Sequence, residues 1–516
     1  MVIAQKCSKY ADIIYAKFDK IALTTLARAY RIAADKMQEG ERLMELYGRR
    51  KVYTDFDDIT ADNVRQAVGE AGAIHEQNAA EIRYLFNYYR GRQPVRNRDK
   101  VVRPDITYNT VVNRAQEIVA FKVSYLLSEP ITYISRKGAK DVSDKVGTLN
   151  DFMHLSGKQA ADKELADDFS ICGVAYRMVL PNKAYEKNSD EPPFIVSKLN
   201  PATTFVAYEQ TPQKHANPVF AATYVQKKPF GRVYDVYTKD KHFTLAGREI
   251  IEEPNPIGRV PIIEYVNNEF RIGAFEPVID LLDGSNVLES NRIEATEQNV
   301  QSLLWFNDVT LDDNQIASLK ANPSAFIFTK SVQGSVKPEI KNVIVQLQQA
   351  DQQVLANDMY KNMLSIVGMP STGDGNTADS SNNGSTIVRT GWQHAEARAK
   401  DTETLWRRSD KAFLEAVVRI CGDLDALQIS ANDIALSFPR RNYEDMMTKA
   451  TVLTTLLGSD KVDPKIAYQV SKITPDPEEA YRMGVAWYEQ MMKSAQNAAN
   501  DTANNDDDTG NEGDAV

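Results

Sequence analysis

At 516 residues the chain is longer than the roughly 250–300 residues at which a single core stops growing, so several domains are expected. Apolar residues make up 42% and charged residues 26%, the proportions of a globular protein rather than a disordered one. The net charge is −10, and residues 496–516 hold six acids and no base, so a protein that grips nucleic acid through a broad basic surface is excluded.

Cys7, Cys172 and Cys421 are odd in number and far apart, which leaves no disulfide framework and no four-cysteine zinc site. Cys172 lies in the apolar run ICGVAY and reads as a buried structural thiol. The first 20 residues carry charges every few positions, unlike a signal peptide, and no stretch approaches 18 uncharged apolar residues. A soluble protein of a reducing compartment is expected.

Residues 1–95 read as helical, with EIRYLFNYYRG placing Tyr84, Leu85, Tyr88 and Tyr89 at helical spacing before Gly91. A basic loop, 91–105, leads to a helix near 109–127, and SEPITYIS then alternates like a strand. Helix is expected again over 143–170 and a β-run over 169–180. PFIVSKL, TTFVAYE, VFAATYV, VYDVYT and HFTL are further strands, and PNPIGRVPIIEYVNNE closes this β-rich part at 269.

The pattern changes at Phe275. Residues 275–298 read as one long helix on which Glu276, Asp280, Asp283 and Glu294, at offsets 0, 4, 7 and 18, share a stripe at 100° per residue. Taken alone, that stripe reads as a solvated face. Strands at 303–310 and 325–332 flank a small helix, LDDNQIASLKA, and a second long helix covers 348–367 before Gly368 and Pro370. Residues 370–385 are nearly all Gly, Ser, Thr, Asn and Asp and cannot pack a core. A very long helix, 386–421, a strand in DIALSFPR and helices at 442–458, 463–472 and 477–494 follow, and the tail from Ser494 reads as disordered.

The sequence carries no phosphate-binding GxxxxGK[ST], no HExxH, no GxSxG and no CxxC, and its five histidines share no ligand spacing. Asp167–Asp168 and Asp312–Asp313 are too ordinary to suggest catalysis. No enzyme, metal site or cofactor is expected.

The order of these parts resembles the portal proteins (head-to-tail connectors) of tailed bacteriophages, in particular the type found in long-tailed phages of Gram-positive hosts. The segments YLFNYYRGRQPV, NRAQEIVAFKVSYLLSEPITY, DDFSICGVAYRMVL and NPIGRVPIIEYVNN are similar to that family's wing segments, and the resemblance covers roughly 80–495. It implies an α+β, mainly helical portal fold with wing, stem, clip and crown, assembling into a cyclic ring with an axial channel. By that resemblance 76–274 is the wing, 275–298 the first stem helix, 299–347 the clip and 348–369 the second stem helix. Residues 370–385 become the tunnel loop, 386–440 the long wing helix with its returning strand, 441–495 the crown and 496–516 a disordered acidic tail. Residues 1–75, a helical extension, have no counterpart.

The resemblance implies a DNA channel at one capsid vertex, serving genome packaging, retention and ejection. Implied partners are a ring of about twelve copies, double-stranded DNA, the terminase large subunit, a head-completion or adaptor protein, and major capsid and scaffolding proteins. No membrane is implied, and the expected location is the virion, with host cytoplasm during assembly. Glu276, Asp280, Asp283 and Glu294 would line the stem, where carboxylates repel a polyanion and keep it sliding. Alternatively these acids face the next subunit and pair with Arg292, Lys361 or Arg389. In the tunnel loop Asp374, Asn376, Asp379, Asn382 and Asn383 would face DNA, touching it sterically or through hydrogen bonds to phosphates. The rival reading is a scaffold or minor capsid protein without a DNA channel.

Overall fold

The computed structural model describes residues 48–100, 105–136, 140–187, 191–211, 217–229, 231–300, 303–307, 314, 326–329, 339–343, 349–370, 392–439, 446–471, 473–474 and 477–507. Most of the expected amino-terminal extension, nearly all of the small helix LDDNQIASLKA, the Gly/Ser/Asn-rich loop beyond Pro370 with all five of its singled-out residues, and Arg389 lie outside the described residues. The fold mixes helix and sheet and is 53% helical, in line with the mainly helical α+β expectation.

The first described element corrects the helical reading of the amino end. Val52–Thr54 is a strand, β1. Helix α1 (Val64–Tyr89) follows, burying Val64, Val68, Ala71, His75, Ala79, Ile82 and Leu85, whose three- and four-residue steps keep one stripe inward over 26 residues. Helix α2 (Arg114–Leu126) starts five residues later than expected, because 108–113 is used as a strap described below. Strand β2 (Thr132–Ser135) is as expected. The helical stretch foreseen over 143–170 consists of two helices, α3 (Lys140–Leu155) and α4 (Lys158–Cys172), parted at Gly157 with φ +68°.

The β-run foreseen from 169 begins only at Val174, since α4 runs through Cys172 and ends on Gly173 in the left-handed conformation, φ +84°. A Cβ at 173 would lie 2.0 Å from the carbonyl oxygen of Arg271, so this joint requires glycine. Strands β3 (Val174–Pro181), β4 (Phe194–Leu199), β5 (Thr204–Glu209), β6 (Pro218–Lys227), β7 (Gly231–Thr238) and β8 (Lys241–Ala246) match the apolar runs. Strand β9 (Glu249–Pro254) was not foreseen, being mostly exposed and carrying three glutamates, and β10 (Ile262–Val266) closes the region.

A 3-10 turn, Glu276–Val278, opens helix α5 (Ile279–Val300). Strands β11 (Leu303–Asn307) and β12 (Phe326–Thr329) pair in parallel, and β13 (Glu339–Val343), not foreseen in its polar EIKNV, pairs antiparallel with β11. Helix α6 (Gln349–Val367) stops at Gly368, φ +67°. Helix α7 (Trp392–Asp423) precedes β14 (Ile434–Ser437), which returns to pair antiparallel with β2. Helices α8 (Met446–Leu457), α9 (Pro464–Ser471) and α10 (Pro477–Asp507) end the described chain, and α10 continues through Asp507 where a structureless tail was expected from Ser494.

The large sheet has the order β1-β5-β6-β7-β8-β9, with β1 parallel to β5 and every other pair antiparallel. The first half of α1 covers it, setting Val64, Val68 and Ala71 against Phe205, Phe220, Val236 and Phe243. The second half of α1 enters a different core, built by α2, α4, the sheet β10-β3-β4 and the inward stripe of α7. There Trp406 meets Phe169 and Tyr265 edge-on, with ring centroids 5.6 and 5.1 Å apart. One helix therefore belongs to both cores.

Candidate functional site

Helices α5 and α6 form an antiparallel pair. Arg292 donates to Gln353 at 2.9 Å, Gln349 donates to Thr296 at 3.4 Å, and Gly284 lets Met359 close in, with the methyl carbon 3.0 Å from where a Cβ would sit. The 22 residues of α5 extend about 33 Å at 1.5 Å rise per residue. Only one end of the pair is rooted in the main core, through Val278, Ile279 and Leu282 on one side and Met363, Leu364 and Val367 on the other. Away from that root Val287, Ile293, Val354 and Leu355 are exposed, Val354 by 60% and Leu355 by 52%.

The acidic stripe on α5 exists, yet most of it faces the subunit's own body. Glu276 is 3% exposed; it accepts from the Arg49 guanidinium and from the backbone N–H groups of Gly273, at 2.8 Å, and Gly48, at 3.3 Å. Burial outweighs Arg49 and holds the Glu276 carboxyl above the usual carboxylate range. Asp283 is half-buried and accepts the Tyr88 hydroxyl at 2.8 Å; burial raises its carboxyl too. Glu294 is 4% exposed, paired with Lys100 and 3.9 Å from Arg98. Of the four acids, Asp280 is the one left exposed.

What covers the stripe is the segment before α2. The backbone N–H groups of Tyr108, Thr110 and Val112 donate to Glu294 Oε1 at 3.0 Å, Ser290 Oγ at 3.1 Å and Asn286 Oδ1 at 2.8 Å. Acceptors four residues apart rise about 6 Å along the helix, so two strap residues must span the same distance, which a nearly extended chain can do. Alternate amides of an extended strap thus step down successive turns of α5. Asn286 and Ser290 are fully buried for this purpose. Polar residues at helical spacing on α5 carried the signal for this ladder, but its partner lies some 180 residues earlier in the chain.

Among the possible neighbour-facing bases, Arg292 is engaged within the subunit by Glu289 and Gln353, and Lys361 lies on the surface of α6. Exposed carboxylates that the stripe did not include are Asp351 and Asp358, seven residues apart on α6 and hence on one face.

Among the described residues no catalytic arrangement accompanies these helices. Burial pushes the Cys172 and Cys421 thiols up to about 12 and pulls His75 down to about 4, leaving both thiols protonated and the imidazole uncharged at neutral pH. The Asp167–Asp168 pair is structural, Asp168 lying 3.2 Å from Lys198. Among the described residues no group of three His, Cys, Asp or Glu could hold a metal, and no helix is long and apolar enough to cross a membrane.

The helix pair is thus rooted at one end and leaves apolar outer positions uncovered by its own subunit. Residues 69–501 match the family described as phage portal protein, SPP1 Gp6-like, and the chain belongs to that family. A chain from the virion of a native gene transfer agent (GTA) particle is similar at 10% identity, over 70% of this chain and 90% of its own, with a TM-score of 0.35. No curated protein matches the chain.

Proposed function

We propose that this chain is the ring-forming subunit of a phage portal, and that α5 and α6 are the stem helices of its DNA channel. The observation that carries the reading is the helix pair itself: rooted at one end, about 33 Å long and apolar on outer positions that its own subunit leaves bare. Adjacent copies around a cyclic axis would cover Val287, Ile293, Val354 and Leu355, as heterologous ring contacts do. Membership of the portal family, which implies a capsid-associated oligomeric assembly in the virion, supports the same reading.

In this scheme 76–274 with 386–440 is the wing, 299–347 the clip, 370–385 the tunnel loop and 441–495 the crown. Asp280, Asp351 and Asp358 supply negative charge that repels DNA from the wall, in place of the buried Glu276 and Glu294. Asp374, Asn376, Asp379, Asn382 and Asn383 face DNA from the tunnel loop. A ring of about twelve copies then sits at one vertex, docking the terminase large subunit during packaging and an adaptor protein afterwards. Electron micrographs of the purified protein decide between this and a scaffold or minor capsid role. Closed rings with a central pore wide enough for a duplex are expected, and particles without a pore would overturn the reading.

A further inference from the structure

A cleft of about 700 Å³ opens between α7, β10 and the ends of β5 and β6 in the large sheet. Six cationic side chains converge on it and two carboxylates. Both carboxylates are already engaged. Glu264 accepts from Arg271 at 2.8 Å and from Tyr208 at 2.9 Å, and Glu415 pairs with Arg259 at 2.7 Å. That leaves Lys51, Lys239, Arg408 and Arg419 with no carboxylate in ion-pair range among the described residues, a surplus of four positive charges in one concavity.

The surplus is built into the fold. Arg408, Ala412, Glu415 and Arg419 fall at offsets 0, 4, 7 and 11, one face of α7, with the small Ala412 opening the floor. Gly258, at φ +64°, lets the Arg419 guanidinium lie over its backbone, where a Cβ would come within 2.8 Å of that group. Lys51 is held by the rings of Tyr208 and Tyr53, 4.2 and 5.1 Å from their centroids. Burial lowers the Lys51 ammonium below its usual value, and the nearby Arg271 and Arg408 charges lower it further. A cluster of like charges in a concave wall calls for an anionic occupant.

The chain carries one acidic segment without a cation. Asp501, Asp506, Asp507, Asp508, Glu512 and Asp514 account for six of its ten net negative charges, and no base lies among them. Asp506 and Asp507 stand at the carboxy-terminal end of α10, whose last turn has no basic residue and where the helix dipole is itself negative. An acidic segment with no base of its own favours a cationic partner. The nine residues beyond Asp507 have a contour of roughly 30 Å, enough reach for a neighbouring surface.

We propose that this cleft receives the acidic carboxy-terminal segment of the chain, from Asp506 to Asp514, of the same or an adjacent copy. A peptide is favoured over duplex DNA by shape, because a concavity of 700 Å³ accepts a few side chains while a duplex is a broad rod that meets exposed, convex basic surfaces.

The test uses the full-length protein with Asp506, Asp507, Asp508 and Asp514 changed to Asn and Glu512 to Gln, which frees the cleft of its own segment. A fluorescent peptide of residues 500–516 is titrated against it by anisotropy, beside the same peptide with all acids amidated and a short DNA duplex. Binding by the acidic peptide alone is expected, weakening about tenfold or more on adding Arg408→Ser and Arg419→Ser. Both arginines are exposed, so circular dichroism should stay unchanged in that variant. Absence of peptide binding, or binding indifferent to the two arginine substitutions, would overturn the proposal. Duplex binding that needs Arg408 and Arg419 while the peptide fails would reassign the cleft to nucleic acid.

Discussion

Arg177 Nη1 stands 3.2 Å from Asp410 Oδ1, and neither side chain is more than 1% exposed. The pair ties β3 to α7 and belongs to a wider buried set: Arg177 also pairs with Asp162, Lys158 meets Asp162 at 2.7 Å, and the hydroxyls of Tyr133 and Tyr265 donate to Asp410 at 2.9 and 2.8 Å. Two cations and two carboxylates balance inside the main core. Removing one partner strands a charge there, so Arg177→Met should destabilise by about 3–5 kcal/mol. Urea unfolding monitored by Trp fluorescence checks this; a loss under about 1 kcal/mol would show the charges reorganise freely.

Gly173 makes a second sharp demand. Its left-handed φ and the 2.0 Å approach of the Arg271 carbonyl to a hypothetical Cβ act together, so Gly173→Ala should abolish soluble expression or lower the melting temperature steeply. Gly157→Ala shares the positive φ but meets open space, and should cost only about 1–2 kcal/mol. Equal losses at the two sites would rule out the steric part of the argument.

Asp168 imposes a pH dependence. Burial raises its carboxyl to about 6 against the partial compensation of Lys198, from an ordinary value of 3.8. Between these pH values the folded state holds the proton and the unfolded state does not, so this group's contribution to stability falls as pH rises from about 4 to about 6. The melting temperature of Asp168→Asn relative to the parent should therefore climb across that window and level off above it. A pH-independent difference would refute the assignment.

The strap over α5 should open without the protein unfolding. In Asn286→Ala with Ser290→Ala, the amides of Val112 and Thr110 lose their acceptors, at about 1–3 kcal/mol each for a buried unpaired donor. Hydrogen exchange across 105–113 should accelerate while α4 and β3 keep their protection. Unchanged exchange there would mean the ladder is incidental.

Ring formation, if the helix pair is a wall element, depends on its bare apolar positions. Val354→Asp with Leu355→Asp should leave the far-UV spectrum intact and convert rings to monomers in sedimentation velocity. Rings persisting in that variant would place the subunit contact elsewhere.

Much of the architecture was legible because local pattern and final burial coincide. The stripe of α1, the apolar runs of β5 to β8 and the stop of α6 at Gly368 are all set by neighbours within a few residues. What escaped notice depends on distant partners. Strand β1 is three residues long and exists because β5 pairs with it some 150 residues later. The acids of α5 have the periodicity of a surface stripe, but Arg49 waits 227 residues before Glu276 and the strap amides about 180 before Asn286 and Ser290. Periodicity reveals that residues share a face; only the folded chain decides whether that face meets water or its own backbone.

The ladder on α5 has one more consequence. Its donors are main-chain amides, present in every residue type except proline, while its acceptors are three particular side chains. Substitution at Tyr108, Thr110 or Val112 is therefore nearly silent for the attachment unless proline is introduced, whereas Asn286, Ser290 and Glu294 tolerate little. The same joint is permissive on one side and strict on the other, so drift in the strap can remodel the outer surface while the helix beneath keeps its seat.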